Sequence, residues 1–185
     1  MKLKKFKFKS VNSTNDIAIR LIKKTNNKFG IIITDKQKKG RGQRGKKWVS
    51  YKGNLFVSIF FSLEKINMSL KQLTKVNCFL IKKILLQFCR KRIYIKPPND
   101  LLIDKKKICG ILQETIKKAN TTYFIVGVGI NLVNSPNIKN YPTTSILELT
   151  KNKVNKKKII SELANIYNEF INKASKLSLE TVKIL

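Results

Sequence analysis

The sequence predicts an α+β fold, a mainly antiparallel or mixed sheet flanked by helices, on three observations. Short runs rich in β-branched and aromatic residues alternate with longer runs whose apolar residues recur at helical spacing. Two of the β-rich runs are separated only by the polar stretch KKANT, which marks an antiparallel hairpin. The chain has 185 residues and 42% hydrophobic content, enough to bury one core, and no linker, repeat or low-complexity tract divides it. Residues 1–185 are therefore expected to form a single domain.

In chain order, Leu3, Phe6 and Phe8 suggest an opening strand. Ser13 then precedes Ile17, Leu21 and Ile22, with Asp16 three residues on, the pattern of a helix N-cap followed by a first-turn acid. That helix is expected to run to about Lys24. GIIITD at 30–35 and NLFVSIFFSL at 54–63 read as buried strands, with a polar, glycine-rich loop between them. Leu73, Val76, Leu80, Ile84 and Phe88 give helical spacing over 70–89, and RIYIK at 92–96 reads as a short strand ended by Pro97 and Pro98. Residues 107–116 and 122–132 form the predicted hairpin, and 159–177 a last amphipathic helix. Two helices on one side of the sheet complete the expected layers.

The formal charge of +30 points at first to a nucleic acid or an acidic surface. Only five of the 40 basic residues are arginine, and the 35 lysines are spread along the whole chain, whereas recognition of phosphates and bases favours clustered guanidinium forks. Lys, Asn and Ile account for 78 residues, a bias that A/T-rich codon usage produces without selection for binding. The charge would still speed encounter with an acidic partner. Cys78, Cys89 and Cys109 lack the paired spacing of a zinc site or a disulfide framework and read as buried thiols. The basic N-terminus alternates apolar and polar residues instead of forming a secretory apolar run, and nothing reaches the length of a membrane span, so a cytoplasmic location is expected. The chain has no histidine, which removes every scheme needing an imidazole base or ligand.

Three clusters carry the candidate chemistry. The loop KQKKGRGQRGKKW at 36–48 combines three glycines with two arginines and five lysines, a set suited to an anion; on composition alone a solvated loop serves equally well. It is not a P-loop, because no GK[ST] ending precedes a helix. KPPND at 96–100, followed by KICGILQE at 107–114, puts Lys96 at a strand end, where it could offset charge building during a displacement. GVGIN at 127–131 places two glycines inside a strand, a sign of close approach by a ligand or by another backbone.

In order, these clusters read STN at 13–15, Q-x-x-GRG-x-RG-x-x-W from Gln37 to Trp48, K-x-PND, K-x-x-GIL-x-E and G-x-GIN. The series resembles the biotin protein ligases over roughly residues 10–133, and five ordered motifs coincide by chance far less readily than one. The resemblance implies the class II aminoacyl-tRNA synthetase/biotin ligase catalytic fold. It also implies formation of biotinyl-5′-AMP from biotin and ATP with release of pyrophosphate, then transfer of biotin to a lysine of a biotin carboxyl carrier domain. Lys96 and Arg41 would be catalytic. Ser13, Thr14, Asn15, Gln37, Gly40, Arg41, Gly42, Gln43, Lys96, Gly110 and Gly129 would hold biotin. Arg41, Arg44, Trp48, Lys96 and Asn131 would hold ATP or the adenylate, Trp48 by stacking on adenine or, alternatively, serving only as core. Magnesium would come through phosphates and waters, with no protein metal ligand. Gln43 stands where many members carry arginine, and Pro97 where they carry tryptophan. The chain reads as a short form without a DNA-binding module or a C-terminal barrel, acting as monomer or homodimer with no DNA or membrane partner. The rival inside the fold is a lipoate or octanoyl ligase or transferase, whose histidine-containing motif is absent; the rival outside it is a basic nucleic-acid-binding protein.

Overall fold

The computed structural model describes residues 2–174. Its strands are β1 (Lys4–Phe8), β2 (Phe29–Thr34), β3 (Leu55–Ser62), β4 (Tyr94–Lys96), β5 (Asp100–Ile103), β6 (Lys106–Lys118) and β7 (Thr121–Ile130). The helices are α1 (Thr14–Lys24), α2 (Leu70–Leu86), α3 (Ile146–Thr150) and α4 (Lys156–Lys173). All seven strands join one sheet in the order β1-β2-β3-β7-β6-β5-β4. Every pairing is antiparallel except β1 with β2, so the sheet is mixed.

The central strands are apolar at consecutive positions because both faces of the sheet are covered. Ile31, Ile33, Ile59, Phe61, Phe124 and Val126 face α2 and α4, while Ile32, Phe60, Tyr123 and Ile125 pack against Ala18 and Ile22 of α1. The expectation of two helices on one side holds for α2 and α4. The first helix lies on the opposite face, and that is where the functional cavity opens. α2 begins at a capping box: Ser69 Oγ accepts from Gln72 N and Gln72 Oε1 accepts from Ser69 N, which satisfies two end groups of the helix.

Ser13 occupies the N-cap position of α1, as expected, but its side chain makes no capping bond. Gln37 Oε1 instead accepts from Thr14 N at 2.8 Å and Thr14 Oγ1 at 3.1 Å, so a residue 23 positions away caps the helix. β5 and α3 were not expected from the sequence. The predicted end of the last helix near Leu177 lies outside the described residues.

Between α2, α4 and the sheet, Phe61 packs among Phe124, Tyr167 and Phe170, with ring centroids 5.8–6.4 Å from its own. Tyr167 is fully buried, and its hydroxyl donates to Asn77 Oδ1 at 2.6 Å. Burial pushes the Tyr167 phenol well above its ordinary pKa, so it stays a neutral donor. Tyr167→Phe keeps the ring and leaves the Asn77 carbonyl unpaired in the core. The expected loss is about 1–3 kcal/mol of unfolding free energy, read from urea denaturation.

Candidate active site

On the α1 face the side chains shrink along successive rows of the sheet. Phe60 pairs with Ile125, and both pack beneath α1. One row on, Ser58 pairs with Gly127 and Gly127 with Leu112. In the next row Gly129 pairs with Gly110, and Gly110 with Asp100. Ser58, Gly127, Gly129 and Gly110 therefore leave room on this face beside Phe56 and Leu112, which keep large side chains in the same rows. The space left is a cavity of about 960 Å³, walled by the N-terminus of α1, the loop 36–48, the turn after β4 and residues 136–143. Among the described residues seven basic side chains line it against one carboxylate, Asp100. A cavity of that size and sign suits a ligand with an anionic, phosphate-bearing portion.

The loop 36–48 is an ordered hairpin. Val11 bridges to Gln37 and Arg41 bridges to Lys47, while Trp48 N donates to Gly40 O at 2.9 Å and Gly42 N to Lys46 O at 2.6 Å. A 3-10 turn, Gln43–Gly45, forms the tip, with Arg44 at φ 53° and Gly45 at φ 73° in the left-handed region. Glycine takes that conformation freely and arginine does not, so the tip carries local strain at Arg44. This geometry turns Arg41, Gln43 and Arg44 toward the cavity, where all three line the wall.

Trp48 lies on the glycine row. A Cβ on Gly110 would sit 2.6 Å from Trp48 Cζ3, and one on Gly129 would overlap the indole ring. The indole Nε1 is buried with no hydrogen-bond partner among the described residues. Lys107 Nζ lies 5.2 Å from the Trp48 ring centroid and 2.8 Å from Asp100 Oδ1. Tyr141 closes this end of the cavity. Its hydroxyl donates to Asp100 Oδ2 at 2.6 Å, and its ring lies 4.5 Å from Lys96 Nζ and 5.5 Å from Lys107 Nζ. Burial, reinforced by the Asp100 hydrogen bond, raises the Tyr141 pKa and keeps the phenol protonated. Lys96 is exposed at the end of β4, with no carboxylate partner among the described residues. Asn99 fixes the following turn by donating to Ile111 O at 2.6 Å.

Asn15 is buried and fully engaged: its Nδ2 donates to Glu114 Oε2 at 2.6 Å and Leu112 O at 3.3 Å, and its Oδ1 accepts from Ser58 Oγ at 2.5 Å. Arg41 forks onto Glu114, Nη1 to Oε1 at 2.9 Å and Nη2 to Oε2 at 2.8 Å. That hydrogen bonding holds the guanidinium pKa above its already high ordinary value. Asn131 is buried at the cavity wall; Nδ2 donates to Thr144 O at 3.1 Å, while Oδ1 has no partner among the described residues.

Thus Ser13, Thr14, Asn15, Gln37, Arg41, Gly42, Gln43, Arg44, Trp48, Lys96, Gly110, Gly129 and Asn131 all line one cavity. Gly40 does not. A Cβ there would meet Trp48 O at 2.5 Å, so its place is under the loop, where it lets the two hairpin strands close. Lys107, Asp100 and Tyr141, to which the sequence motifs give no role, belong to the site. Lys107 stood inside the K-x-x-GIL-x-E motif, which is the one signal that could have found it. Among the described residues no group of three or more His, Cys, Asp and Glu could hold a metal. The three cysteines are free and buried, with burial pushing Cys78 up to about 11 and Cys109 well above its usual value, so neither offers a thiolate.

The profile of the Biotin/lipoate A/B protein ligase family matches residues 7–131. The Bifunctional ligase/repressor BirA of Escherichia coli is 34% identical over 102 residues, covering 54% of this chain and 32% of that protein. The Biotin–[acetyl-CoA-carboxylase] ligase of Paracoccus denitrificans is 30% identical over 128 residues, covering 68% of this chain and 53% of that protein. The chain thus spans about a third to half of these relatives. Among solved structures, a biotin protein ligase from Aquifex aeolicus in complex with biotin and ATP superposes with a TM-score of 0.80 at 27% identity, over 96% of this chain and 74% of that one.

Proposed function

The chain belongs to the Biotin/lipoate A/B protein ligase family, and from that premise we propose that it is an ATP-dependent biotin–protein ligase. The observation that carries the reading is the cavity itself: a glycine row roofed by Trp48 and ringed by cations, with the STN turn, the glycine loop and Lys96 brought to one space. In the first step the biotin carboxylate attacks the α-phosphorus of ATP, forming the acyl–phosphate bond as the bond to pyrophosphate breaks. A carboxylic acid with a pKa of about 4–5 is already ionised at neutral pH, so no base is needed and the absence of histidine is no obstacle. The step needs charge cancellation as one anion attacks another, together with alignment. Lys96 and Arg41 would supply the first. Ser13, Thr14 and the Gln37-capped start of α1 would hold biotin, with Trp48 and Asn131 toward the nucleotide. In the second step a lysine amine of a biotin carboxyl carrier domain attacks the acyl carbon and AMP leaves.

Magnesium would arrive with the nucleotide. Among the described residues Asp100 is the only carboxylate lining the cavity, and it is paired with Lys107, so the ion would be held by phosphates and water and would offset phosphate charge there.

The deciding experiment is incubation of the chain with biotin, magnesium ATP and an apo carrier domain, followed by mass measurement. One biotinyl addition per carrier is expected. No addition with biotin, together with one when lipoate or octanoate replaces it, would move the assignment to the other branch of the family.

Gln43 makes a second outcome measurable. It lines the cavity from the loop tip with a neutral amide. Gln43→Arg supplies a charge-assisted donor, worth about 1.5–3 kcal/mol on a phosphate, so dissociation of the adenylate should slow about tenfold or more. Equal release rates, followed by rapid filtration, would refute a role for this position in retention.

A further inference from the structure

Arg41 faces the cavity, yet its charge is already compensated. It is forked onto Glu114, and its Nη2 also lies 2.8 Å from Asp16 Oδ1. One guanidinium between two carboxylates forms a group of net negative charge, which offers an incoming anion little attraction.

The two carboxylates are held differently. Glu114 binds through both oxygens, its side chain is only 26% exposed, and Asn15 Nδ2 fixes it from behind at 2.6 Å, with Ser58 Oγ in turn fixing Asn15. Asp16 binds through one oxygen and is 48% exposed. It is also the third residue of α1 after the N-cap, where the helix dipole favours a carboxylate whether or not Arg41 is present. Separating Arg41 from Asp16 is therefore cheap, and separating it from Glu114 strands a charge in a partly buried place.

From this asymmetry we infer that Asp16 is a stand-in anion, displaced from Arg41 when an anionic oxygen of the ligand enters, while Glu114 keeps its fork and aims the guanidinium. Displacement frees one Nη2 N–H for the ligand. Asp16 is then a brake on anion binding, and Glu114 a positioning residue that acts through Arg41. The identity of the natural anion rests on the reading under Proposed function; the exchange of one carboxylate for a ligand anion does not.

The test is isothermal titration of the full chain with inorganic pyrophosphate, comparing three substitutions that each remove one negative charge. Asp16→Asn is expected to bind three- to tenfold more tightly than wild type. Glu114→Gln is expected to bind at least threefold more weakly, because the guanidinium is no longer aimed. Glu169→Gln, which removes the same charge from α4 where Glu169 pairs with Lys173 outside the cavity, is expected to stay within twofold. Thermal midpoints within a few degrees of wild type separate positioning from unfolding. Unchanged binding in Asp16→Asn, equal tightening in all three, tightening in Glu114→Gln, or no pyrophosphate binding to any of them overturns the inference. A chain that fails to biotinylate a carrier yet shows the opposite-signed pair would sink the ligase reading and leave this one standing.

Discussion

Lys96→Ala is expected to lower the rate of biotinyl-adenylate formation by about 10²–10³-fold, the range seen when one positioned charge-stabilising donor is removed from a reacting centre. Two of the cavity's seven cations already have carboxylate partners. Arg41 is tied to Glu114 and Asp16, and Lys107 is paired with Asp100 at 2.8 Å. Lys96 has only the face of Tyr141, 4.5 Å from its Nζ, and no carboxylate partner among the described residues, so its charge is available to the anion that forms as carboxylate attacks phosphate. Because the side chain is exposed, truncation should leave stability within about 0.5 kcal/mol, which separates loss of chemistry from loss of fold. Biotin-dependent exchange of labelled pyrophosphate into ATP reads the first step alone. Exchange by the variant within threefold of wild type would remove Lys96 from the chemistry and shift the burden to Lys107.

How much of this was legible in the sequence follows from what each part depends on. Strands such as FGIIIT and LFVSIFFS announce themselves because burial on both faces demands continuous β-branched and aromatic residues. β5 did not: DLLI is four residues beside a Pro-Pro pair, and only the neighbouring β6 makes it a strand. The face chosen by α1 was hidden for a related reason. An amphipathic helix shows that it has a buried side, but not which side of a sheet receives it. The site was legible through motif order, which grouped thirteen cavity-lining residues far apart in the chain. What motif order could not give is how the side chains use one another. Gln37, read as a ligand holder, uses its carbonyl oxygen to cap α1, and Asn15, although it lines the cavity, has its amide bonded to Ser58, Leu112 and Glu114. Tyr141 sits in a loop with no pattern around it, and Lys107 was one lysine among 35.

Gly127 shows what such couplings imply. A Cβ there would overlap Asn15 Oδ1 and lie 3.0 Å from Asn15 Cγ, while Asn15 sits in the first turn of α1 with its amide bonded to Ser58, Leu112 and Glu114. The amide cannot withdraw without breaking those bonds or moving the helix. Gly127→Ala should therefore cost about 2–5 kcal/mol, combining overpacking with at least one buried polar group left unpaired. That is a large share of a typical domain's stability of about 5–15 kcal/mol, and urea denaturation would read it directly. Asn15→Ala supplies the check, since it removes the atoms that the new methyl would strike. In that background Gly127→Ala should cost about 1 kcal/mol or less, giving a coupling of a few kcal/mol between two residues 112 positions apart. Additive costs in the double variant would mean that the glycine answers to strand packing and not to Asn15. A large coupling would instead place the support of Arg41 at the sheet: the missing Cβ admits Asn15, Asn15 holds Glu114, and Glu114 aims the arginine at the cavity.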